Sequence, residues 1–253
     1  MCIRDRLRAR GIEPVTVSIG GAGAELRAER LKLWSSGCEC DIVWGGRVFR
    51  GVRMNVLGRH NVANALCALG AAVACGAEVE RLIEAMGTMP AAPGRLEFIT
   101  NKLGLTVVVD YAHTDDALRN VLTCLREITQ GALWVVFGCG GDRDRGKRPR
   151  MGAVAEELAD YVIITSDNPR SEDPRVIAEE ICAGMKRGPY AVELERQAAI
   201  RRACAAARPG DVVLIAGKGH ETYQEINRVF YDYDDRVAAR AVLAELEASR
   251  VYP

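Results

Sequence analysis

The sequence predicts an α/β chain: a Rossmann-like C-terminal domain with a mainly parallel sheet, preceded by a β-rich and helical segment. Three observations carry this. Apolar runs TVVVD (106–110), LWVVFG (133–138), YVIIT (161–165) and DVVLIAG (211–217) alternate with helical patterns, as strands buried on both faces and joined by crossover helices do. Three of these runs lead into charged, turn-forming loops: CGGDRDRGKR (139–148), SDNPR (166–170) and KGHE (218–221). In an open α/β sheet ligands bind beyond the carboxyl ends of the strands, so these loops are expected to converge on one polar site. Third, TMPAAPGR (88–95) sets two prolines and a glycine between the halves and reads as a linker.

Taken in order, residues 11–57 read as β-rich: VTVSI (15–19), CDIVWGGRVFRGV (40–52) with its Gly45-Gly46 turn, then MNVLG (54–58). Helices are expected over 61–75, with Val62, Leu66, Leu69 and Val73 on one face, and over 79–86. Beyond the linker, LEFIT (96–100) and TVVVD come first, with a weaker strand YAVEL at 190–194. Helices are expected near 115–129, 149–159, 174–187, 195–207 and 235–248. The chain is divided accordingly into 1–92 and 93–253.

At 253 residues with 49% hydrophobic content the chain can bury a sizeable core. Its 34 basic and 34 acidic residues cancel, which argues against disorder and against an extended nucleic-acid surface. No apolar run reaches membrane-spanning length, and MCIRDRLRAR lacks the apolar region of a secretory signal. Nine scattered cysteines, with Cys67, Cys75, Cys124 and Cys182 inside helical patterns, read as reduced, buried thiols of a cytoplasmic protein. Cys38 and Cys40 have no second ligand pair nearby, so no metal site is assigned. Neither a nucleic-acid nor a membrane partner is expected, and the chain is expected to be a monomer.

Residues 141–147 satisfy GxxxxGK between a strand and a helix, yet Arg148 stands where a phosphate-binding loop needs Ser or Thr for Mg²⁺. Asp142 and Asp144 also put carboxylates where backbone should cradle phosphate. The better reading is a loop whose Arg143, Arg145 and Lys147 face a small anion; the plain one is a solvated loop with internal salt bridges. Asp167, Asn168 and Pro169 have turn chemistry, and Arg170 beside Arg143 suits bidentate recognition of carboxylates. Gly217 and Gly219 permit close backbone approach next to His220 and Glu221.

Asp110 ends a strand and could hold a ribose hydroxyl or a metal; N-capping accounts for Thr114 but not for His113. Asn61 and Asn64 share a face at a helix start, either as a cap or as paired amides reading a base edge.

The motifs GRHNVANALCAL (58–69), PGRLE (93–97), VVVDYAHT (107–114), FGCGGDRDRGKRPRMG (137–152), DNPR (167–170) and AGKGHE (216–221) together resemble the Mur ligases of peptidoglycan synthesis, specifically the diaminopimelate-adding branch. The resemblance implies joining of meso-diaminopimelate to UDP-MurNAc-L-Ala-D-Glu with ATP and Mg²⁺, through an acyl phosphate. It implies that Arg143, Asp167, Asn168, Pro169, Arg170, Gly217 and Glu221 bind diaminopimelate, and that Asn61, Asn64, Asp110 and His113 lie near the nucleotide. No catalytic residue is assigned. Lysine lacks the second carboxylate, so Arg170 favours diaminopimelate. Asp115 and Ser166 stand where the family more often has proline and an acidic residue.

No segment matches GxxxxGK[ST], and the carbamylated lysine of the family's central domain has no counterpart. Residues 1–92 therefore read as the end of that central domain, with 1–6 as foreign sequence, and the chain is expected to be a fragment inactive alone. Rival readings are another amide ligase of the superfamily (lysine-adding, cyanophycin or folylpolyglutamate type) and a stand-alone amino-acid-binding module. A dinucleotide-binding domain fits less well, since no GxGxxG with an acidic partner follows any strand.

Overall fold

The computed structural model describes residues 3–21, 23–34, 37–90, 92–188 and 190–251. The chain divides into two compact units, Met1–Pro90 and Ala91–Pro253.

The first unit holds α1 (Ile3–Arg8), β1 (Val17–Ile19), β2 (Leu26–Trp34), β3 (Gly37–Trp44), β4 (Arg47–Met54), α2 (Arg59–Ala74) and α3 (Val79–Met86). Its sheet runs in order β1-β2-β3-β4, parallel only between β1 and β2. Gly45 and Gly46, at φ 55° and 80°, make the β3–β4 turn, a conformation that glycine adopts without a Cβ clash. Leu26, Ala28, Cys40, Ile42, Val52 and Met54 pack under Val62, Leu66 and Leu69 of α2. Strand β2 was not anticipated. Its sequence, LRAERLKLW, is rich in charge, and a bulge between Glu29 and Lys32 breaks the alternation that would have marked it. MNVLG is strand only as far as Met54.

The second unit comprises β5 (Glu97–Ile99), β6 (Thr106–Asp110), α4 (Asp115–Arg126), β7 (Leu133–Phe137), α5 (Lys147–Leu158), β8 (Tyr161–Ile164), α6 (Pro174–Cys182) and β9 (Tyr190–Val192). It continues with α7 (Arg196–Ala206), β10 (Val212–Ala216), β11 (Tyr223–Ile226), β12 (Val229–Asp232) and α8 (Asp235–Val251). The sheet order is β5-β6-β10-β7-β8-β9, with every pair parallel except β5 and β6. Helices α4, α5 and α6 pack in a row, as do α7 and α8. Val107, Val109, Val136, Val213 and Ile215 meet Ile200, Ala203, Ala239 and Val242 of α7 and α8. Val108, Val135 and Leu214 alternate with these and are equally buried, so both sheet faces are covered, as the apolar runs predict.

Two further features differ from expectation. The hairpin β11–β12 was not foreseen. Its turn places Asn227 and Arg228 at φ 50° and 64°, and Arg replaces the glycine that usually signals such a turn. The four cysteines expected to be helical and buried are also not buried: Cys67 and Cys75 are exposed and Cys124 and Cys182 half-buried, whereas Cys38, Cys40, Cys139 and Cys204 are buried. Burial raises the thiols of Cys38 and Cys40 to about 12 and 11, so both stay protonated at neutral pH. Among the described residues no helix is long and apolar enough to cross a membrane.

Candidate functional site

The strand register brings the charged loops together. Ala216 at the end of β10 pairs with both Asp110 of β6 and Phe137 of β7, and Phe137 pairs with Ile164 of β8. These strands are parallel, so the chain after each leaves from the same edge of the sheet.

At that edge the loops touch backbone to backbone, which the glycines allow. A Cβ on Gly138 would sit 2.1 Å from the Thr165 carbonyl oxygen, and one on Gly141 would sit 1.9 Å from that of Pro169. Gly141 N–H donates to the Asn168 carbonyl at 2.8 Å. Arg170 lies in the left-handed region at φ 51°. The hairpin holds it there: Arg170 N–H donates to the Glu225 carbonyl (3.0 Å), and Asn227 N–H donates to the Arg170 carbonyl (2.7 Å). Its side chain is anchored twice, by Nε to Glu225 Oε2 at 2.8 Å and by Nη1 to the Gly141 carbonyl at 2.9 Å.

A buried cation organises the other loop residues. Lys218, fully buried, donates from Nζ to Asn168 Oδ1 and to the Tyr223 carbonyl, each at 2.7 Å. Asp167 Oδ1 lies 3.3 Å away, an ion contact. Burial lowers the Lys218 ammonium below its ordinary value, opposed by the adjacent Asp167 carboxylate. Asn168 Oδ1 also accepts from Glu225 N–H at 3.0 Å, so its Nδ2 donates to Glu221 Oε2 at 2.9 Å. Gly217, at φ 118°, has no Cβ to crowd Asp167, whose Oδ2 would lie 3.3 Å from it. Beneath this cluster Arg196 pairs with Asp235 through Nε and Nη2, both at 2.7 Å. It also donates to the carbonyls of Ser166 and Ala216, at 3.1 and 3.0 Å, tying two site loops to α7 and α8.

The GxxxxGK segment is braced by carboxylates. Asp144 Oδ1 accepts from Gly146 N–H at 2.8 Å, and Glu172 Oε1 accepts from Asp142 N–H at 2.6 Å. Those are N–H groups that a phosphate cradle would present. Arg145 pairs with Glu180 (2.7 Å) and Glu172 (3.4 Å), and Lys147 donates to the His113 carbonyl at 2.7 Å. Both therefore depart from the expected anion-facing role. Arg143 is exposed and pairs with no carboxylate in its own loop, its Nη1 reaching the Asp142 carbonyl at 3.2 Å. A Cβ on Gly140 would lie 2.9 Å from Arg170 Nη1 and 3.7 Å from Arg143 Cγ, so the two arginines flank one spot. Arg148 is wholly buried and grips Glu172 with Nη1 and Nη2 (2.9 and 2.8 Å), holding that carboxyl down at about 2.

The residues expected near a nucleotide are distributed over both units. Asp110 is buried and accepts from Leu96 N–H and Ala112 N–H, each at 2.8 Å, so its carboxylate braces the backbone around Tyr111. His113 is exposed; its Nδ1–H donates to the Tyr111 carbonyl at 2.9 Å, which leaves Nε2 to face outward. Thr114 caps α4 by accepting from Ala117 N–H at 3.2 Å. In the first unit the cap of α2 is Gly58 and not Asn61. Asn61 Nδ2 instead donates to the Leu57 carbonyl at 2.9 Å, and Asn64 Nδ2 reaches Asn61 Oδ1 at 3.4 Å.

Sequence reasoning missed Lys218, Glu225, Glu172, Arg196 and Asp235. Lys218 lay in view inside AGKGHE. The other four carry no motif and are found only through the contacts they make.

Comparison with known proteins places the fold and the sequence in a family. The family profile described as Mur ligase, glutamate ligase domain, matches residues 94–219. A UDP-N-acetylmuramoyl-L-alanyl-D-glutamate–2,6-diaminopimelate ligase of Clostridium botulinum (strain ATCC 19397 / Type A) is 43% identical over 224 residues, covering 88% of this chain and 46% of the relative. The enzyme of the same name from Synechococcus elongatus (strain ATCC 33912 / PCC 7942 / FACHB-805) is 49% identical over 199 residues, covering 78% and 40%. A solved ligase of that name aligns with TM-score 0.70 and 38% identity over 97% of this chain and 50% of its own. Folylpolyglutamate synthase from Thermotoga maritima, at 18% identity and TM-score 0.65, shares the fold. The chain spans about half the length of the curated relatives it matches. With the motifs in order, the loops converged on one sheet edge and the profile matching residues 94–219, this chain belongs to the Mur ligase family.

Proposed function

We propose that the second unit forms the amine-substrate pocket of an ATP-dependent, ADP-forming amide ligase that adds meso-diaminopimelate to UDP-MurNAc-L-Ala-D-Glu, in cytoplasmic peptidoglycan precursor synthesis. The observation that carries this is the placement of Arg143 and Arg170 around Gly140, beside an Asn168 and a Glu221 whose orientations are set by Lys218. In this reading the arginines take carboxylates, since a guanidinium offers a fork that ammonium groups cannot. Glu221 and Asp167 take a substrate ammonium. Asn168 and Pro169 shape the turn between them, and Gly217 lets the backbone close on the ligand.

ATP with Mg²⁺ would supply the phosphoryl group that activates the acceptor carboxyl for attack by the amine. The described residues do not fit a Mg²⁺ site by themselves: they hold no group of three or more His, Cys, Asp and Glu placed for a metal, and Asp110 is committed to backbone. Asn61, Asn64 and His113 remain candidates for nucleotide contact, with His113 Nε2 available to a hydroxyl or phosphate oxygen.

Calorimetric titration of the chain with meso-diaminopimelate and with L-lysine tests the reading. Selective binding of diaminopimelate, weakened in Arg143→Ala and abolished in Arg170→Ala, is expected. Equal affinity for the two amino acids, or none in a folded chain, would sink it.

A further inference from the structure

The geometry points to Glu225 as the positioning residue that aims Arg170 at the distal carboxylate of the amine substrate, and so sets the preference for diaminopimelate over lysine. The inference rests on the pocket reading given above and names a residue outside its motifs.

Three observations converge on Glu225, and a fourth fixes the far side of Arg170. Its Oε2 takes the Nε of Arg170 at 2.8 Å, with both side chains largely withdrawn from water, at 16% and 17% exposure. An ion pair so shielded is screened less than a surface pair and holds its geometry. Its backbone carbonyl accepts from Arg170 N–H at 3.0 Å, part of the parallel bridge between Arg170 and Ile226. Its backbone N–H donates to Asn168 Oδ1 at 3.0 Å, so one residue ties down two of the pocket's polar groups. Finally, Arg170 Nη1 is pinned on the opposite side by the Gly141 carbonyl at 2.9 Å.

Two anchors on different nitrogens fix the plane of a guanidinium. Glu225 occupies the Nε position, which leaves Nη2 and the second Nη1 hydrogen to present an end-on pair of donors to a ligand carboxylate. The side chain is thus ordered before substrate arrives, and less rotamer entropy is lost on binding. Charge matters as well. The Glu225 carboxylate also offsets the Arg170 charge beside Gly140, where the stem of a second cation, Arg143, passes. L-lysine has no distal carboxylate to use this fork, so the contribution of Glu225 belongs to diaminopimelate alone.

The test uses the full chain in three forms: wild type, Glu225→Gln and Glu225→Asp. Gln keeps a hydrogen-bond acceptor and the side-chain shape, so the fold is retained. Calorimetry is run with meso-diaminopimelate and L-lysine, and the Arg170 Nε–H resonance, assigned with Arg170→Lys, is followed by ¹⁵N NMR without ligand. In Glu225→Gln the affinity for diaminopimelate is expected to fall about tenfold with that for lysine unchanged, the size of losing one charge-assisted contact. Asp, which keeps the charge, is expected to restore part of the loss. The Nε–H signal, sharp and protected in wild type, is expected to broaden in Gln. Unchanged affinity in Glu225→Gln would overturn the inference, and tighter binding would make Glu225 an internal competitor. A wild type that fails to prefer diaminopimelate would overturn the pocket reading itself. The Nε–H signal then reports separately whether Glu225 orders Arg170, and its persistence in Gln would overturn that part too.

Discussion

Lys218 and Asn168 meet at 2.7 Å between a fully buried ammonium and an amide oxygen, and that bond sets the sense of the whole amide. With Oδ1 taken by Lys218 and by the Glu225 N–H, Nδ2 can only point to Glu221. Replacing Lys218 with Met would leave the Tyr223 carbonyl and the Asp167 carboxylate short of their cation. Breaking one side of such a buried cluster costs roughly 3–5 kcal/mol. Urea unfolding of Lys218→Met is expected to show a loss in that range. A loss below about 1 kcal/mol would mean that water replaces the ammonium and that the amide is oriented by something else.

Much of this arrangement was legible in advance, and the reasons are specific. TVVVD was read as 106–110 and folds over Thr106–Asp110, because a short β-branched run bounded by polar loops has few alternatives. Convergence of the loops followed from the parallel sheet. Gly217 and Gly219 signal close backbone approach in the sequence, whereas the contact of Gly138 and Gly141 with the backbone of 165–169 shows only in the structure. Glu225 and Arg196 were invisible, since each acts through a partner 55 and 39 residues away that pattern reading cannot pair. Strand β2 and the hairpin were hidden by a bulge and by a turn without glycine. Asp110 ends a strand and by position could hold a ribose hydroxyl or a metal; only the structure shows its carboxylate accepting from the Leu96 and Ala112 N–H groups.

Arg196 and Asp235 form a second test. Both are wholly buried, and their bidentate pair joins the first turns of α7 and α8. Arg196→Met strands a buried carboxylate and is expected to cost about 3–5 kcal/mol. Adding Asp235→Leu removes the stranded charge, so the double variant is expected to be more stable than Arg196→Met alone. It should not return to wild type, because the Ser166 and Ala216 carbonyls still lack their donor. A double-mutant cycle read by denaturant unfolding decides the matter; strict additivity would contradict the pairing.

The pH dependence of stability has an identifiable contributor in Glu172. Its carboxyl, ordinarily at 4.5, is held at about 2 by hydrogen bonds from Arg148. A depressed acid binds fewer protons folded than unfolded, so its contribution is complete above pH 4.5 and is lost as pH falls towards 2. Glu172→Gln is expected to destabilise the chain at neutral pH by about 2 kcal/mol, less than the full shift implies because the carboxylate is partly in water. The gap between variant and wild type should close on acidification. A gap independent of pH would assign the loss to packing.

The thiols make a prediction readable in minutes. Burial pushes Cys139 and Cys204 up to about 12, in line with Cys38 and Cys40, so at pH 8 almost none of each is thiolate. Cys67 and Cys75 are exposed. A thiol reagent at pH 8 followed by peptide mapping is expected to label Cys67 and Cys75 quickly, and the four buried positions only in denaturant. Rapid labelling of Cys139, which lies in the site loop 3.6 Å from the Met151 sulfur, would mean that the loop opens in solution.

Gly141 offers the sharpest separation of local packing from side-chain chemistry. Its Cβ position falls 1.9 Å from the Pro169 carbonyl oxygen and 3.3 Å from Glu172 Cβ. The first contact is with backbone, which cannot rotate away, so Gly141→Ala must push the two loops apart. That movement would lengthen the Gly141 N–H bond to Asn168 and the Arg170 bond to the Gly141 carbonyl, both 2.9 Å or shorter. Neither guanidinium is altered, yet Arg170 loses one of its two anchors. Diaminopimelate affinity is therefore expected to fall by one to two orders of magnitude, roughly 1.4–2.8 kcal/mol, with overall stability reduced by a comparable amount. Gly146→Ala in the same loop is the control: its Cβ position meets only Asp144 Oδ1, at 3.1 Å on a side chain that can turn, and Arg150 Nη1 at 3.9 Å. Binding by Gly146→Ala should stay close to wild type. If the two substitutions proved equally harmful, the contact between the Gly141 and Pro169 backbones would not be what holds the site together.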